Sequence, residues 1–362
     1  MPKTISPGMS LYLDAVRFLA ALVVLLSHVW PLLFPAFPLP WPGHAAVVVF
    51  FVMSGYVIAL TTDRADRTAS TYILHRSVRI LSVTIPALLL AAAIAPYVAG
   101  GDAIPGVAAM AMPAADFWYT TSMNLVFMGE SWFGSVTPPF NAPFWSISYE
   151  VWYYVIFGVW MFSAPAWRLW STTAAAALAG FNIVLLLPVW LLGIAIYRKQ
   201  IVLPKSIAPA VFLGSLAVGL AFFWFDCSLQ IRSELFALAP DFMGRLNGSN
   251  QFVGDYLLGL IVAVNFIAAG SKADYLSFLQ AFARPIRYLA SFTLSIYLFH
   301  MPLTVLLWNG LQIRSPAAFF GLLAGAIFIL GALTERNNKL LRHWVARMLE
   351  EIQSAAILPA RR

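Results

Sequence analysis

Long apolar runs, broken by short polar or Pro- and Gly-containing stretches, repeat along almost the whole chain. They fall near residues 11–32, 44–61, 79–98, 143–163, 168–182, 183–197, 206–225, 251–270, 288–309 and 316–334. A helical membrane crossing needs about 20 predominantly apolar residues. Most of these runs approach that length. The fifth and sixth are too short, so the pattern predicts tilted, kinked or partly re-entrant helices there. Segment 117–128 is apolar and aromatic but also short, and reads as an interfacial or re-entrant piece. The pattern therefore predicts an all-α, polytopic membrane helix bundle of about ten transmembrane helices. It forms a single domain over 1–362, ending in a cytoplasmic tail from 335 to 362. No internal repeat is visible.

Charge sets the expected orientation. With the N-terminus inside, the inside segments hold Lys3; Arg64, Arg67, Arg76 and Arg79; Arg168; Arg198, Lys199 and Lys205; and Lys272, Arg284 and Arg287. The tail adds Arg336, Lys339, Arg342, Arg347, Arg361 and Arg362. The outside loops hold only Arg232, Arg245 and Arg314, and the stretch 99–142 has no Lys or Arg. This follows the positive-inside rule and places both termini in the cytoplasm, so an inner (cell) membrane location is expected.

Composition agrees with this reading. Hydrophobic residues make up 61% of the chain and charged residues 10%, against about 25% charged in soluble domains. The net charge of +7 reflects basic cytoplasmic loops, and no nucleic-acid partner is expected. The single Cys227 excludes an internal disulfide and a cysteine metal cluster; no metal site is expected. The apolar N-terminus imitates a signal peptide, but Asp14 and Arg17 interrupt it and no convincing cleavage site follows.

The chemistry lies where ionisable groups enter these runs. A central Arg, Lys or Asp in a membrane span costs at least about 2.5–3.5 kcal/mol, so each such group calls for a reason. Arg17 and His28 are eleven residues apart in the first run. Eleven helical steps return the direction to within about 20°, so the two share a face about 16 Å apart along the axis. Asp14 lies near the same stripe. His28 suits a general base near neutral pH. The plainer reading is a histidine bonded to a neighbouring helix and an arginine snorkelling to the interface.

Arg76 and Arg79, three residues apart at the start of the third run, share a helix face and can grip a phosphate with forked hydrogen bonds. Taken by themselves, they are explained more simply by positive-inside anchoring. Adjacent His75 reads as a solvated loop residue. Glu150 falls about two turns into the fourth run, after the helix-start signals Asn141 and Pro143. A buried carboxylate must pair or take up a proton. Glu150 could orient His28, bind a sugar hydroxyl, or bond Tyr153, Tyr154 or a serine on another helix. His300 lies at or beyond mid-membrane in the ninth run, with Pro302 loosening its helix; a supporting or core-bonded role is expected. Ser54-Gly55 permits close helix contact. His44 and His343 are read as having no role in the chemistry.

Taken in order, these pieces resemble the acyltransferase 3 family of integral membrane acyltransferases. The matching segments are Leu13-Asp-Ala-Val-Arg17 with His28, Phe50-Phe-Val-Met-Ser-Gly55, Arg76-x-x-Arg79, Trp145-Ser-Ile-Ser-Tyr-Glu150, Trp190-Leu-Leu-Gly193 and Ile296-Tyr-Leu-Phe-His300. The family's Arg-x10-His pattern falls on Arg17 and His28. Some relatives carry a fused extracytoplasmic esterase-like domain, and none is expected here.

The resemblance implies transfer of an acyl group, usually acetyl, from cytoplasmic acyl-CoA to a hydroxyl on a glycan or other acceptor. Acyl-CoA then serves as donor substrate, and no permanently bound cofactor is expected. On this reading Arg76 and Arg79 hold donor phosphates and Arg17 holds the donor's polar arm or the developing oxyanion. His28 acts as general base or as a covalent acyl carrier. Glu150 and His300 complete the catalytic set. Exopolysaccharide, lipopolysaccharide O-chains, peptidoglycan and a small secondary metabolite such as a macrolide all remain open as acceptors. Homo-oligomers and biosynthetic complexes are equally compatible. A proton-coupled transporter or flippase of a glycan or small molecule is the main alternative, although such proteins often show repeated halves. A non-catalytic scaffold of an export complex is a further one. Reporter fusions after residues 70, 120, 240 and 350 should read inside, outside, outside and inside; an outside reading at 350 overturns the expected topology.

Overall fold

The computed structural model describes residues 5–37, 39, 41–64, 68–98, 101–102, 104, 114–271 and 274–357. Among these residues all regular structure is helical. Lys3, Arg67, Lys272, Arg361 and Arg362 lie outside them, so that part of the basic asymmetry has no structural counterpart here.

Helix α1 spans Pro7–Leu33. Its start is set by Ser6, whose hydroxyl accepts from the Met9 N–H at 3.1 Å, and by Pro7 in the first turn, where a missing N–H costs nothing. Helices α2 (Gly43–Arg64) and α3 (Ala69–Val98) follow. The apolar run expected from residue 79 thus belongs to a helix that begins at Ala69. This places His75, Arg76 and Arg79 within the helix, two to three turns from its start, and not in a loop.

The short α4 (Ala114–Leu125) is 12 residues long. At about 1.5 Å per residue it cannot cross a bilayer. Helix α5 (Trp145–Phe162) is 18 residues long and mixes its apolar residues with Trp, Tyr, Ser and Glu150. Helix α6 (Arg168–Ala179) has only 12 residues and α7 (Phe181–Lys199) has 19. They are joined at Gly180, which has φ +90 and stands against the Trp132 backbone; the left-handed region and the close approach both favour glycine.

Helices α8 (Ala208–Trp224) and α9 (Cys227–Leu238) form one apolar stretch bent by 49°. The short α10 (Pro240–Arg245) leads to α11 (Phe252–Gly270). Helices α12 (Ala283–Ala290) and α13 (Thr293–Val305) belong to a second bent stretch, with a 46° bend. Helix α14 (Pro316–Leu333) precedes α15 (Lys339–Ile357).

Six of the described helices are long and apolar enough to cross a membrane, or up to eight spans if each bent pair counts as one. The chain is a multi-pass membrane protein on this ground. Ten separate crossings do not emerge. The fourth run is diluted by its aromatic and polar residues, and the fifth yields only the 12-residue α6.

The closest helix pair is α2 with α7. A Cβ on Gly55 would overlap the Trp190 carbonyl oxygen, and one on Gly193 would overlap that of Val52. Two glycines from separate sequence segments thus let two backbones touch, the device that small residues serve where no hydrophobic force drives helices together. At α13, Pro302 cannot donate to the Leu298 carbonyl. The Asn141 amide takes that carbonyl instead, at 2.9 Å. The tail helix α15 packs on α3, with Val345 buried and Gln353 donating to Ser70.

Gly193→Ala should separate α2 from α7, because the obstructing atom is backbone and cannot rotate away. Overpacking of this kind costs about 1–3 kcal/mol or more. Thermal unfolding of the detergent-solubilised protein should shift down by several degrees and the folded yield should fall; an unchanged melting curve would refute the tight contact.

Candidate functional site

A cavity of about 230 Å³ lies between α1, α2, α3, α5 and the start of α13. Its walls include Arg17, Arg76, Arg79 and Glu150, four of the six residues singled out in the sequence, together with Ser54 and Tyr154. Helix geometry brings them in. Arg17 sits in the third turn of α1, Arg76 and Arg79 project from one face of α3, and Glu150 lies in the second turn of α5.

Glu150 accepts from the Ser54 hydroxyl at 2.9 Å and from the Tyr154 hydroxyl, and those two hydroxyls lie 3.3 Å apart. Ser54 is thus the partner on another helix, and Tyr154 the partner one turn along α5. Glu150 bonds neither His28 nor Tyr153. It also shares the cavity with both arginines of α3, so it does not stand at the opposite end of the bundle. Helix α3 starts ten residues earlier than the hydropathy run, and this carries the arginines to the depth of Glu150.

Arg76 donates to Thr61 at 3.3 Å and lies over the Tyr72 and Tyr154 rings, 6.0 and 5.9 Å from their centroids. Arg17 lies 3.8 Å from Asp14, and its Nε is buried with no hydrogen-bond partner in the protein. A buried, unpaired guanidinium N–H calls for an explanation.

Glu335, just beyond α14, closes the cavity near the start of α13. It accepts from the Leu294 and Ser295 N–H groups at 3.3 and 2.9 Å and from the Ser295 hydroxyl at 2.7 Å. It therefore caps α13, where a carboxylate meets the positive end of the helix dipole. Burial pushes the Glu335 carboxyl above its ordinary range, against these hydrogen bonds and Arg79, which favour the charged form. The cavity lining thus holds three guanidiniums and two carboxylates, with Asp14 beside Arg17.

His28 and His300 do not line this cavity. They pair with each other, with His28 Nδ1 3.3 Å from His300 Nε2. Each Nδ1 also lies 2.9 Å from a carbonyl one turn back, that of Val24 and of Ile296 respectively. A carbonyl only accepts, so each Nδ1 carries the hydrogen. His300 Nε2 is then the acceptor for His28, and His28 Nε2 keeps a free lone pair. A base or nucleophile needs that state. Ser27 also touches His28 Nδ1, at 3.3 Å.

Tyr297 stands between the two groups. It lines the cavity, packs edge-on to Phe50 at 6.0 Å, and has its ring 6.5 Å from that of His300. Its hydroxyl donates to the Pro143 carbonyl at 3.0 Å and accepts from Ser146 at 2.6 Å.

The family-model comparison decides what this architecture belongs to: the acyltransferase 3 model, described as an acyltransferase domain, matches residues 10–335. The chain belongs to the acyltransferase 3 family. The acyltransferase MdmB of Streptomyces mycarofaciens is 30% identical over 142 residues, covering 38% of this chain and 34% of that protein. The aligned part of the chain thus spans about a third of that relative's length. No solved structure matches the chain significantly. Of the residues in the family-like motifs, Arg17, Ser54, Arg76, Arg79, Glu150 and Tyr297 line the cavity, His28 and His300 form the histidine pair, and Gly55 and Gly193 make the α2–α7 contact.

Other polar groups lay beyond sequence reasoning. Glu335 follows the last apolar run and gives no local signal of its role. His44, set aside as an outer helix end, bonds the buried Asp255 at 2.9 and 3.1 Å and stacks on Trp145 at 5.7 Å. His75 is half-buried in α3, not solvated in a loop. Glu130, in the loop before α5, is buried and accepts from Ser135 at 3.1 Å; burial pushes its carboxyl up to about 7.

His28→Ala should abolish turnover while leaving the fold intact, since a positioned base is worth about 10²–10⁴-fold. His300→Ala should lose less, because His28 keeps its Val24 bond. Equal, near-normal turnover in both purified variants would make the pair structural.

Proposed function

We propose that this acyltransferase moves an acyl group, most simply acetyl, from cytoplasmic acyl-CoA to a hydroxyl of a cell-surface or exported polysaccharide. The observation that carries the reading is the cavity lined by Arg17, Arg76 and Arg79, with His28 three turns along α1 from Arg17. Acyl-CoA has the matching shape: a phosphate-bearing head and a slender, neutral thioester arm. Guanidinium forks suit its phosphates.

In this mechanism the donor head rests against the arginines and its arm runs past Phe50 and Tyr297 towards His28. His28 Nε2 takes the proton of the acceptor hydroxyl as the oxygen attacks the thioester carbonyl. The carbon–sulfur bond breaks, and the CoA thiolate recovers the proton from His28. His300 holds the His28 ring and shares the charge that develops on it. Glu150, tied to Ser54 and Tyr154, balances the arginines of α3 and fixes the cavity wall. The basic side of the bundle faces the cytoplasm of the inner membrane. The packing of α15 on the start of α3 supports this, since it puts two basic segments on one side.

Incubation of the purified protein with acetyl-labelled CoA tests the reading. The label should leave CoA by transfer or slow hydrolysis; complete retention would sink it. Arg76→Ala and Arg79→Ala should raise KM for acyl-CoA about tenfold, with a smaller effect on kcat, and lysine should rescue only in part. Comparing glycan acetylation by mass spectrometry between a deletion strain and its parent tests the acceptor.

A further inference from the structure

A second cavity, of about 190 Å³, adjoins the first and shares Arg79 and Glu335 with it. Its walls include His75, Ser82 and Arg342. His75, Arg79 and Ser82 are spaced four and three residues apart, so they form one stripe of α3. This stripe lines the second cavity with the tail helix, and Arg79 also lines the first cavity together with Arg76. Arg342 comes from α15, and the placement of that helix is fixed. Val345, one turn further on, is buried, and Gln353 donates to Ser70 at the start of α3.

We propose that this vestibule, with Arg342 of the tail helix as its outer cation, holds the phosphates at the nucleotide end of the thioester donor. The inference rests on the acyl-CoA reading above and assigns the tail helix a place in donor binding. Arg342, Arg79 and Arg17 then mark a path from the exposed surface inwards. Arg79 and Glu335 form the neck where the two cavities meet. Glu335 is the carboxylate at that neck, engaged by the start of α13 and facing Arg79, and Arg342 is the cation that an incoming anion meets first. A donor with its charge at one end and its reactive group at the other fits a path that is basic at its mouth and ends in an uncharged arm site. The same phosphate chemistry could come from a phospholipid headgroup, because α15 exposes Leu340, Trp344 and Ile352 beside its basic residues.

Calorimetric titration of CoA into the purified full-length protein, in detergent free of phospholipid and phosphate, separates these sources. Arg342→Gln should weaken CoA binding about tenfold, the value of one charge-assisted hydrogen-bonding partner. Arg342→Lys should recover much of it. His343→Gln, one residue along on an exposed position outside the cavity, should bind as wild type. Arg342 is itself exposed, so its variants should keep the fold, which the elution profile and melting curve check. Wild-type affinity in Arg342→Gln would overturn the inference and leave the acyl-CoA reading standing. Wild-type protein that does not bind CoA would overturn both. Unchanged CoA affinity, with loss of co-purifying phosphatidylglycerol by native mass spectrometry, would give Arg342 to a lipid headgroup and refute the proposal.

Discussion

Backbone contact between α2 and α7 is the constraint on which the rest of the site depends. Gly55 and Gly193 each lie where any side chain would strike a carbonyl of the other helix. Inside a bilayer, helices gain little by hiding apolar surface from one another, so close packing must supply the attraction. The contact also does something geometric. Ser54 precedes Gly55, so the residue that presses against α7 fixes the direction of the next side chain. That side chain reaches Glu150 of α5 at 2.9 Å. A packing contact on one face of α2 thereby sets a polar contact on another.

The second constraint is electrostatic. Guanidiniums and carboxylates placed in an apolar bundle must be paired, hydrated or engaged by a ligand. Here each carboxylate is held by groups that donate to it: Glu150 by Ser54 and Tyr154, and Glu335 by the first turn of α13. Arg17 is held less completely. Arg17 meets Asp14 only at 3.8 Å, and its buried Nε has no partner. That leaves one guanidinium N–H at the cavity open to a further acceptor. The aromatic faces of Tyr72 and Tyr154 support Arg76 without neutralising it, since a cation–π contact leaves the charge in place.

Much of this was legible in the sequence because membrane residence makes ionisable residues conspicuous. Arg17 and Glu150 stood out by the cost of a charge in an apolar run, Arg76 and Arg79 by their three-residue spacing, and the four meet in one cavity. Arg17 and His28 do lie in one helix, as the first apolar run implies, but Arg17 lines the cavity and His28 does not. What the sequence hid was non-local. Nothing near His28 indicates that its ring partner is His300, 272 residues away. Glu335 lies outside every apolar run, yet it caps a site helix. The start of α3 was misplaced because hydropathy falls through His75, Arg76 and Arg79, although the helix continues through them. The same effect blurred the count of crossings. Helix α5 mixes its site residues and aromatics with its aliphatic ones, so the helix that carries Glu150 is not among those apolar enough to count as spans.

The separation of the arginine cavity from the histidine pair is itself informative. A binding protein for an anion would need only the first, and a buried histidine pair alone would need no cation cluster. Tyr297 touches both, lining the cavity while packing against His300. Its hydroxyl is committed to Pro143 and Ser146, so the ring is held in place by the start of α5. The adjoining turn of α13 is held in turn by Asn141, which occupies the carbonyl that Pro302 leaves without a donor. The segment 141–150 therefore does three things within ten residues: it repairs α13, fixes the aromatic wall between the two polar groups, and supplies the carboxylate of the cavity. Such a linkage makes the distance between the arginine cavity and the histidine pair a property of one short stretch of chain. A reaction that joins a charged carrier to a proton transfer far from its charge requires that this distance be fixed.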